Sequence, residues 1–403
     1  MRPPELGASG REATRGRRRR SSDAPRDGHA ADAVWTPRSD LAVRVLGAGG
    51  YVPPHAVTAG DMARAFPGWS ADQIVEKTGI VERRFLWRLD VEQGRAVPTG
   101  GTEPGRPAAG ADMAEAALTG ALRMADVRAG DLDMLVVVTC TPDQPRFSHD
   151  AMVLQRRLGI RKNAQCFVVD SGCGGALYLL DMVARMLETG AARTAAIVGT
   201  HFTSAMIDRS VYGQEGPPGH DGKTISPYFS TYVFGDGAGA VVVRAERGSS
   251  LGIRTSIAGN DSRDLVRAPG GGTFSPPYGE RYKEFDHAFI INGRLVALSY
   301  LETMASCMEA VTGGASCSFD DVSRFYLHQP NARVLAALAD RLQLREDQVA
   351  SNVAQVGNTS SAGMFILLAD DLEQGRITLG SGAPVVLAAI GAGVHYGAQL
   401  VRI

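Results

Sequence analysis

Cys173 lies in the stretch Phe167-Val-Val-Asp-Ser-Gly-Cys-Gly-Gly-Ala176, where an apolar, β-branched run gives way abruptly to small residues. An amphipathic pattern (Ala176, Leu177, Leu180, Met182, Val183) follows at once, so a strand-to-helix corner is expected with a thiol at the helix N-terminus. Unpaired N–H groups and the helix dipole at such a corner favour thiolate over thiol. The flanking glycines carry no Cβ and let a substrate approach the backbone. A small buried cysteine in a tight turn is the plain alternative for any Gly-Cys-Gly. Two further positions have complementary chemistry. His328, in Phe325-Tyr-Leu-His-Gln-Pro-Asn-Ala-Arg333, stands where a strand opens into a helix, and Asn358, in Val356-Gly-Asn-Thr-Ser-Ser-Ala-Gly363, sits in a small-residue turn before another helix. Taken singly, the histidine reads as a packed side chain and the Asn-Thr-Ser as a helix cap. Taken together, a thiolate can attack an acyl carbonyl while imidazole and carboxamide donate to the developing oxyanion.

The elements that must hold these residues alternate. Strands are expected at 41–46, 134–139, 165–169, 194–198 and 239–244, with helices at 71–79, 111–125, 148–158 and 174–189. Residues 94–110 read as a Gly/Pro-rich loop, and the connection 201–231 is long enough to suggest a functional loop or lid. A second half repeats the rhythm: strands at 251–257, 324–327, 384–389 and 396–402, a loop at 268–279, and helices at 293–312, 331–343 and 361–374. This alternation predicts parallel α/β layers, and two halves in series suggest an internal duplication.

At 403 residues the chain is too long for one simple core. A net charge of −1 gives no argument for nucleic acid or an anionic membrane. No apolar run reaches the roughly 18 to 20 residues that a span requires. The five cysteines (140, 166, 173, 307, 317) form no CxxC and no Cys/His cluster with metal-ligand spacing. Neither a metal nor a disulfide framework is expected, and a reducing cytoplasmic location suits them. Residues 1–40, rich in Arg, Gly, Ala, Ser, Pro and Asp, read as a disordered tail. Its Arg17–Arg20 block precedes no apolar segment, so an export signal is not expected. A polyanion-binding arm and a start codon assigned too far upstream are the alternatives.

Five motifs occur in an order that resembles ketoacyl-acyl carrier protein synthase III. They are the Cys173 corner, Gly235-Asp-Gly-Ala-Gly-Ala240, His328-Gln-Pro-Asn-Ala-Arg333, Gly357-Asn-Thr-Ser-Ser361 and Gly391-Ala-Gly-Val-His-Tyr-Gly397. The resemblance covers roughly residues 42–403. It implies the thiolase fold, a five-layer αβαβα sandwich of two duplicated halves, here 41–245 with the nucleophile and 246–403 with His and Asn. It also implies a homodimer and an acyltransferase with no bound cofactor, whose substrate is a thioester of acyl carrier protein or coenzyme A. By position, Cys173 would take the acyl group. His328 and Asn358 would stabilise the enolate formed when a malonyl-type extender loses carbon dioxide. The backbone N–H groups of Cys173 and Ala392 would form the oxyanion hole. Phe147 would reach across the dimer to the partner's acyl pocket, and Arg333 and Asn331 would help dock the carrier protein.

Departures from the pattern narrow the expected substrate. Gln73 stands where the family usually has an adenine-stacking Trp, Lys77 replaces an Arg, and His395 replaces a Thr. A carrier-bound donor and a specialised role in polyketide or natural-product biosynthesis are therefore expected, rather than acetyl priming of fatty acids. The alternative activity is transfer of the acyl group from Cys173 to a hydroxyl or amine, with His328 as general base. Retention of Asn358 favours condensation. A non-catalytic subunit is a third class, disfavoured by the intact Cys/His/Asn set. Two glycine-rich stretches, Gly47-Ala-Gly-Gly-Tyr-Val52 and Gly235-Asp-Gly-Ala-Gly-Ala240, fail as dinucleotide fingerprints. The first lacks the third glycine, and a strand follows the second where a helix is required.

Overall fold

Two sheets with matching topology organise the chain. The structure is a computed structural model that describes residues 34–37, 40–99, 108–212, 228–263, 265–268, 270–273, 276 and 288–403. The first sheet orders its strands Leu41–Tyr51, Gly237–Arg247, Thr194–His201, Met134–Val138 and Gln165–Val169. The second orders them Gly252–Asn260, His395–Arg402, Pro384–Gly391 and Arg324–Leu327. In both sheets the first two pairings are antiparallel and the third is parallel. Where the first sheet adds a fifth parallel strand, the second has only a parallel bridge between Phe325 and Val349.

The apolar pattern of each element explains the layering. Met134–Val138 is buried throughout, as a strand covered on both faces must be. Helices Gly175–Glu188 and Gly363–Glu373 share one core with strands from both sheets, so they form the middle layer. Helices Gly110–Ala125 and His149–Leu158 cover the outer face of the first sheet, and Gly293–Gly314 and Ala332–Leu342 that of the second. This is the five-layer sandwich expected from the sequence. Gly47 lets the strand Leu41–Tyr51 pack against its covering helix, since a Cβ there would stand 2.6 Å from the Ala121 carbonyl. That glycine-rich stretch is therefore a packing device and not a nucleotide loop.

Two sequence expectations need correction. Residues 34–37 fall in the stretch expected to be disordered, yet Trp35 is buried, exchanges backbone hydrogen bonds with Ser256 (2.7 and 2.9 Å) and packs under the Arg185 guanidinium. A single indole buries enough area to order a polar stretch. The rest of that tail lies outside the described residues, apart from Asp40. Within the expected loop 94–110, Arg95–Val97 is a strand paired with Arg88–Asp90, a short edge pairing that composition hid. The 201–231 connection begins with short 3₁₀ turns and ends in helix Phe229–Val233, and 213–227 lie outside the described residues.

Candidate active site

The nucleophile's corner is held by contact with a turn from the other sheet. Strand Gln165–Val169 ends, Gly172 takes φ +36°, and helix Gly175–Glu188 starts after Gly174. A Cβ on Gly391 would lie 2.6 Å from the Cys173 nitrogen, and one on Gly174 would strike the His395 carbonyl. Only glycines allow this approach, which sets the backbone N–H of Cys173 beside the Gly391–Ala392–Gly393 turn.

His328 follows strand Arg324–Leu327. Its N–H donates to the Ala388 carbonyl (2.8 Å), and its carbonyl accepts from the Tyr300 hydroxyl (2.5 Å). The imidazole is buried, and burial pushes its pKa down to about 3, so it is neutral at physiological pH. Asn358 is set by Gly357, whose φ of +81° and ψ of −179° suit only glycine. The Asn358 N–H donates to the Val233 carbonyl (2.8 Å), and its Oδ1 accepts the Ser360 N–H (2.8 Å). With Oδ1 so engaged, the carboxamide lies in the cavity that Cys173 also lines.

Cys173, His328, Asn358, Ala392, Phe147 and Asn331 all line one cavity of about 940 Å³. The expectation of a ready thiolate does not hold: burial pushes the Cys173 thiol up to about 11. The Ser360 hydroxyl, the residue's own N–H and Asn358 pull in the other direction, but desolvation outweighs them. Asn331 caps helix Ala332–Leu342 by accepting the Val334 N–H (2.9 Å). Arg333 lies on the surface outside the cavity, where its Nε donates to the Glu76 carbonyl (3.0 Å). Phe147 is 94% exposed.

Sequence reasoning missed Ser360 and Cys140 of this chamber. Ser360 donates to the Cys173 sulfur (3.3 Å), and the motif Asn-Thr-Ser gave no hint which hydroxyl would do so. Cys140 lines the cavity, with its sulfur 3.8 Å from His201 Nδ1. Burial and the neighbouring His328 push the His201 pKa down to about 3, and its Nε2 has no partner. Asp236 of the glycine-rich Gly235–Ala240 stretch is an internal anchor: it accepts from the Leu86 N–H (2.7 Å), the Ser204 N–H (3.0 Å) and the Ser204 hydroxyl (2.5 Å).

The departures at 73 and 77 have structural uses. Gln73 folds back to accept the Ser70 N–H (3.0 Å) in a capping box. Lys77 lies over the Trp69 ring, which also stacks on Tyr232 at 5.3 Å. Among the described residues no group of three or more His, Cys, Asp or Glu could hold a metal, and no helix is long and apolar enough to cross a membrane.

Residues 167–262 match the family described as 3-Oxoacyl-[acyl-carrier-protein (ACP)] synthase III, and residues 314–403 match its C-terminal part. A Beta-ketoacyl-[acyl-carrier-protein] synthase III from Rhodospirillum centenum is 32% identical over 89% of this chain and 98% of its own length. The crystal structure of 3-oxoacyl-(acyl carrier protein) synthase III from Pseudomonas aeruginosa superposes with a TM-score of 0.71 at 26% identity, covering 90% of this chain and 98% of that one. The priming β-ketosynthase of the R1128 polyketide pathway shares the fold at 24% identity, with a TM-score of 0.71 over 91% of this chain and 97% of that one. With the fold, the cysteine corner and this similarity in agreement, the chain belongs to the beta-ketoacyl-[acyl-carrier-protein] synthase III family of condensing acyltransferases.

Proposed function

We propose that Cys173 takes an acyl group from a carrier-bound thioester and condenses it with a malonyl-type carrier-bound extender. The Cys173 sulfur attacks the thioester carbonyl, and the N–H groups of Cys173 and Ala392 receive the oxyanion. The carrier thiol leaves with the proton that Cys173 gave up. In the second half-reaction the extender loses carbon dioxide, and its enolate oxygen is met by neutral His328 and the Asn358 carboxamide. The enolate carbon then forms the new bond to the acyl carbon, and Cys173 is released as the 3-ketoacyl carrier product departs. The observation that carries this reading is the meeting of Cys173, His328 and Asn358 in one cavity.

Burial makes the His328 imidazole a weak base, which counts against acyl transfer to a hydroxyl or amine, a step that asks it to accept a proton. The capping role of Gln73 and the covered Trp69 ring leave no aromatic face for adenine at that helix, which supports a carrier-bound donor over free coenzyme A. Exposed Arg333 would meet an acidic carrier at the entrance, with Asn331 holding the helix that presents it. The nucleophile belongs to the 41–245 half and the His/Asn pair to the 246–403 half. The enzyme works as a homodimer in the cytoplasm, whose reducing conditions suit five free cysteines. Its role is specialised, in polyketide or natural-product biosynthesis.

The test is mass spectrometry of the protein after incubation with an acyl-carrier thioester, followed by addition of a malonyl carrier. An adduct on Cys173, carbon dioxide release and a 3-ketoacyl product are expected. Asn358→Ala is expected to load normally and fail to decarboxylate. An ester or amide product with an alcohol or amine acceptor would establish the transferase instead.

A further inference from the structure

We infer that Cys173 selects a bulky, uncharged acyl group over acetyl, with the acyl body lying against Cys140, Met206, Phe234 and Phe289. This rests on the reading of Cys173 as the acyl acceptor. The cavity of about 940 Å³ is near the upper end of sites that enclose drug-sized ligands. Its wall at the sulfur is apolar: Cys173 packs in one cluster with Val233, Phe234, Ile291, Phe229 and Phe289. Phe234 and Phe289 meet edge to face at 5.6 Å, and the His201 ring backs Phe234 at 4.9 Å, so the wall is braced from behind.

Among the described residues charge is kept to the edge of this region: the Asp and Arg side chains of the lining are Arg146, Asp170 and Arg267, and all three are exposed. Two imidazoles line the cavity: His328 is buried and held neutral by its surroundings, and His395, on the turn beside Cys173, packs edge to face on Tyr178 at 5.2 Å. An acyl body bearing a carboxylate or an ammonium would therefore lie against Phe234 and Phe289 without a counter-ion on that wall. Part of the volume must admit the thioester arm. The remainder still offers far more apolar wall than a methyl group can cover, and water between aromatic rings is a poor filling. Each methylene laid on that wall is worth about fourfold in binding.

The experiment follows intact-protein mass during incubation of the full chain with acetyl, octanoyl and benzoyl thioesters of N-acetylcysteamine. Octanoyl or benzoyl is expected to load Cys173 at least about tenfold faster than acetyl. Met206→Trp, which narrows the wall, should bring the octanoyl-to-acetyl ratio toward one. Phe289→Ala, which widens it, should raise the loading of an added decanoyl thioester relative to acetyl and keeps the idea testable if the tryptophan variant fails to fold. Acetyl loading as fast as or faster than both larger groups would overturn the inference and leave Cys173 as acceptor. Loading from none of the three, or only on another residue, would overturn the acceptor reading and this inference with it.

Discussion

The hydroxyl of Ser360 donates to the Cys173 sulfur across 3.3 Å, inside the cavity that the second thiol, Cys140, also lines. Ser360 also presents its N–H to Asn358 Oδ1, and it does so from a left-handed backbone with φ +53°. One residue therefore contacts both the nucleophile and the Asn358 carboxamide. It stands between the two halves of the proposed reaction without taking part in bond making.

Ser360→Ala removes a donor that favours the thiolate, so the Cys173 thiol should titrate at still higher pH than its present position near 11. One lost hydrogen bond of about 1 kcal/mol corresponds to about fivefold less thiolate at a given pH. The check is the rate of iodoacetamide alkylation at Cys173 across alkaline pH. The variant's profile should move upward in pH with a lower rate at every point below the midpoint. A superimposable profile would show that Ser360 packs beside the sulfur without tuning it.

Gly357 is the backbone pivot for Asn358. A Cβ there would stand 2.8 Å from Arg83 Cβ and 3.1 Å from the Gly235 nitrogen. Arg83 cannot yield, because it is fully buried and its guanidinium donates to the Val57 carbonyl (3.2 Å) and the Tyr232 carbonyl (2.7 Å). Gly357→Ala is expected to cost about 3 kcal/mol of stability through backbone strain and this clash. Urea unfolding measures the cost. In the fraction that folds, extender decarboxylation should fall further than acyl loading, since Asn358 is displaced and Cys173 is not. Equal losses in both half-reactions would count against Asn358's proposed role.

Much of this architecture was legible from apolar periodicity. Met134–Val138, Gln165–Val169 and Arg324–Leu327 fall where strands were expected, within a residue at each end, because continuous apolar runs bounded by small residues leave little choice. The short edge elements, such as His55–Thr58 with Glu82–Phe85, were not visible, since polar side chains on half-exposed strands carry no clear period. The site divides similarly. Cys173, His328 and Asn358 announced themselves by sitting at corners. The roles of Ser360 and Cys140 depend on approaches between segments distant in sequence. The thiol's direction of titration was misjudged for the same reason: the helix terminus is local and readable, whereas the burial that outweighs it is built from both halves.

Stability should depend on acid through two imidazoles. His201 and His328 both titrate near 3 in the folded chain, against an ordinary value of 6.5. Between those limits the unfolded chain binds protons that the folded chain refuses. Stability is therefore fully present above about pH 6.5 and declines as pH falls toward 3, by about 1.4 kcal/mol per pH unit for each imidazole. Denaturation curves taken at about pH 7 and about pH 5.5 should show this loss. His201→Gln should reduce the slope by one imidazole's share. A variant with the wild-type slope would mean that His201 is protonated in the folded protein.

Phe147 offers the clearest reading of assembly. Its side chain is 94% exposed on a backbone with φ +60°, beside Ser148, whose hydroxyl accepts the Val168 N–H (3.2 Å). Among the described residues strand Gln165–Val169 ends the first sheet with an unpaired edge, and its apolar residues are only half buried. An open, apolar edge is a ready template for a second chain, and an exposed Phe next to it suits insertion into that partner. Phe147 also lines the cavity that holds Cys173, so the same side chain would join assembly to acyl binding. Sedimentation should therefore find a dimer for the wild-type chain. Phe147→Glu should weaken it by about thirtyfold or more, the effect of losing one buried aromatic anchor, and acyl loading should fall in parallel. A wild-type monomer at micromolar concentration, or a Phe147→Glu chain that dimerises and loads normally, would remove Phe147 from both roles.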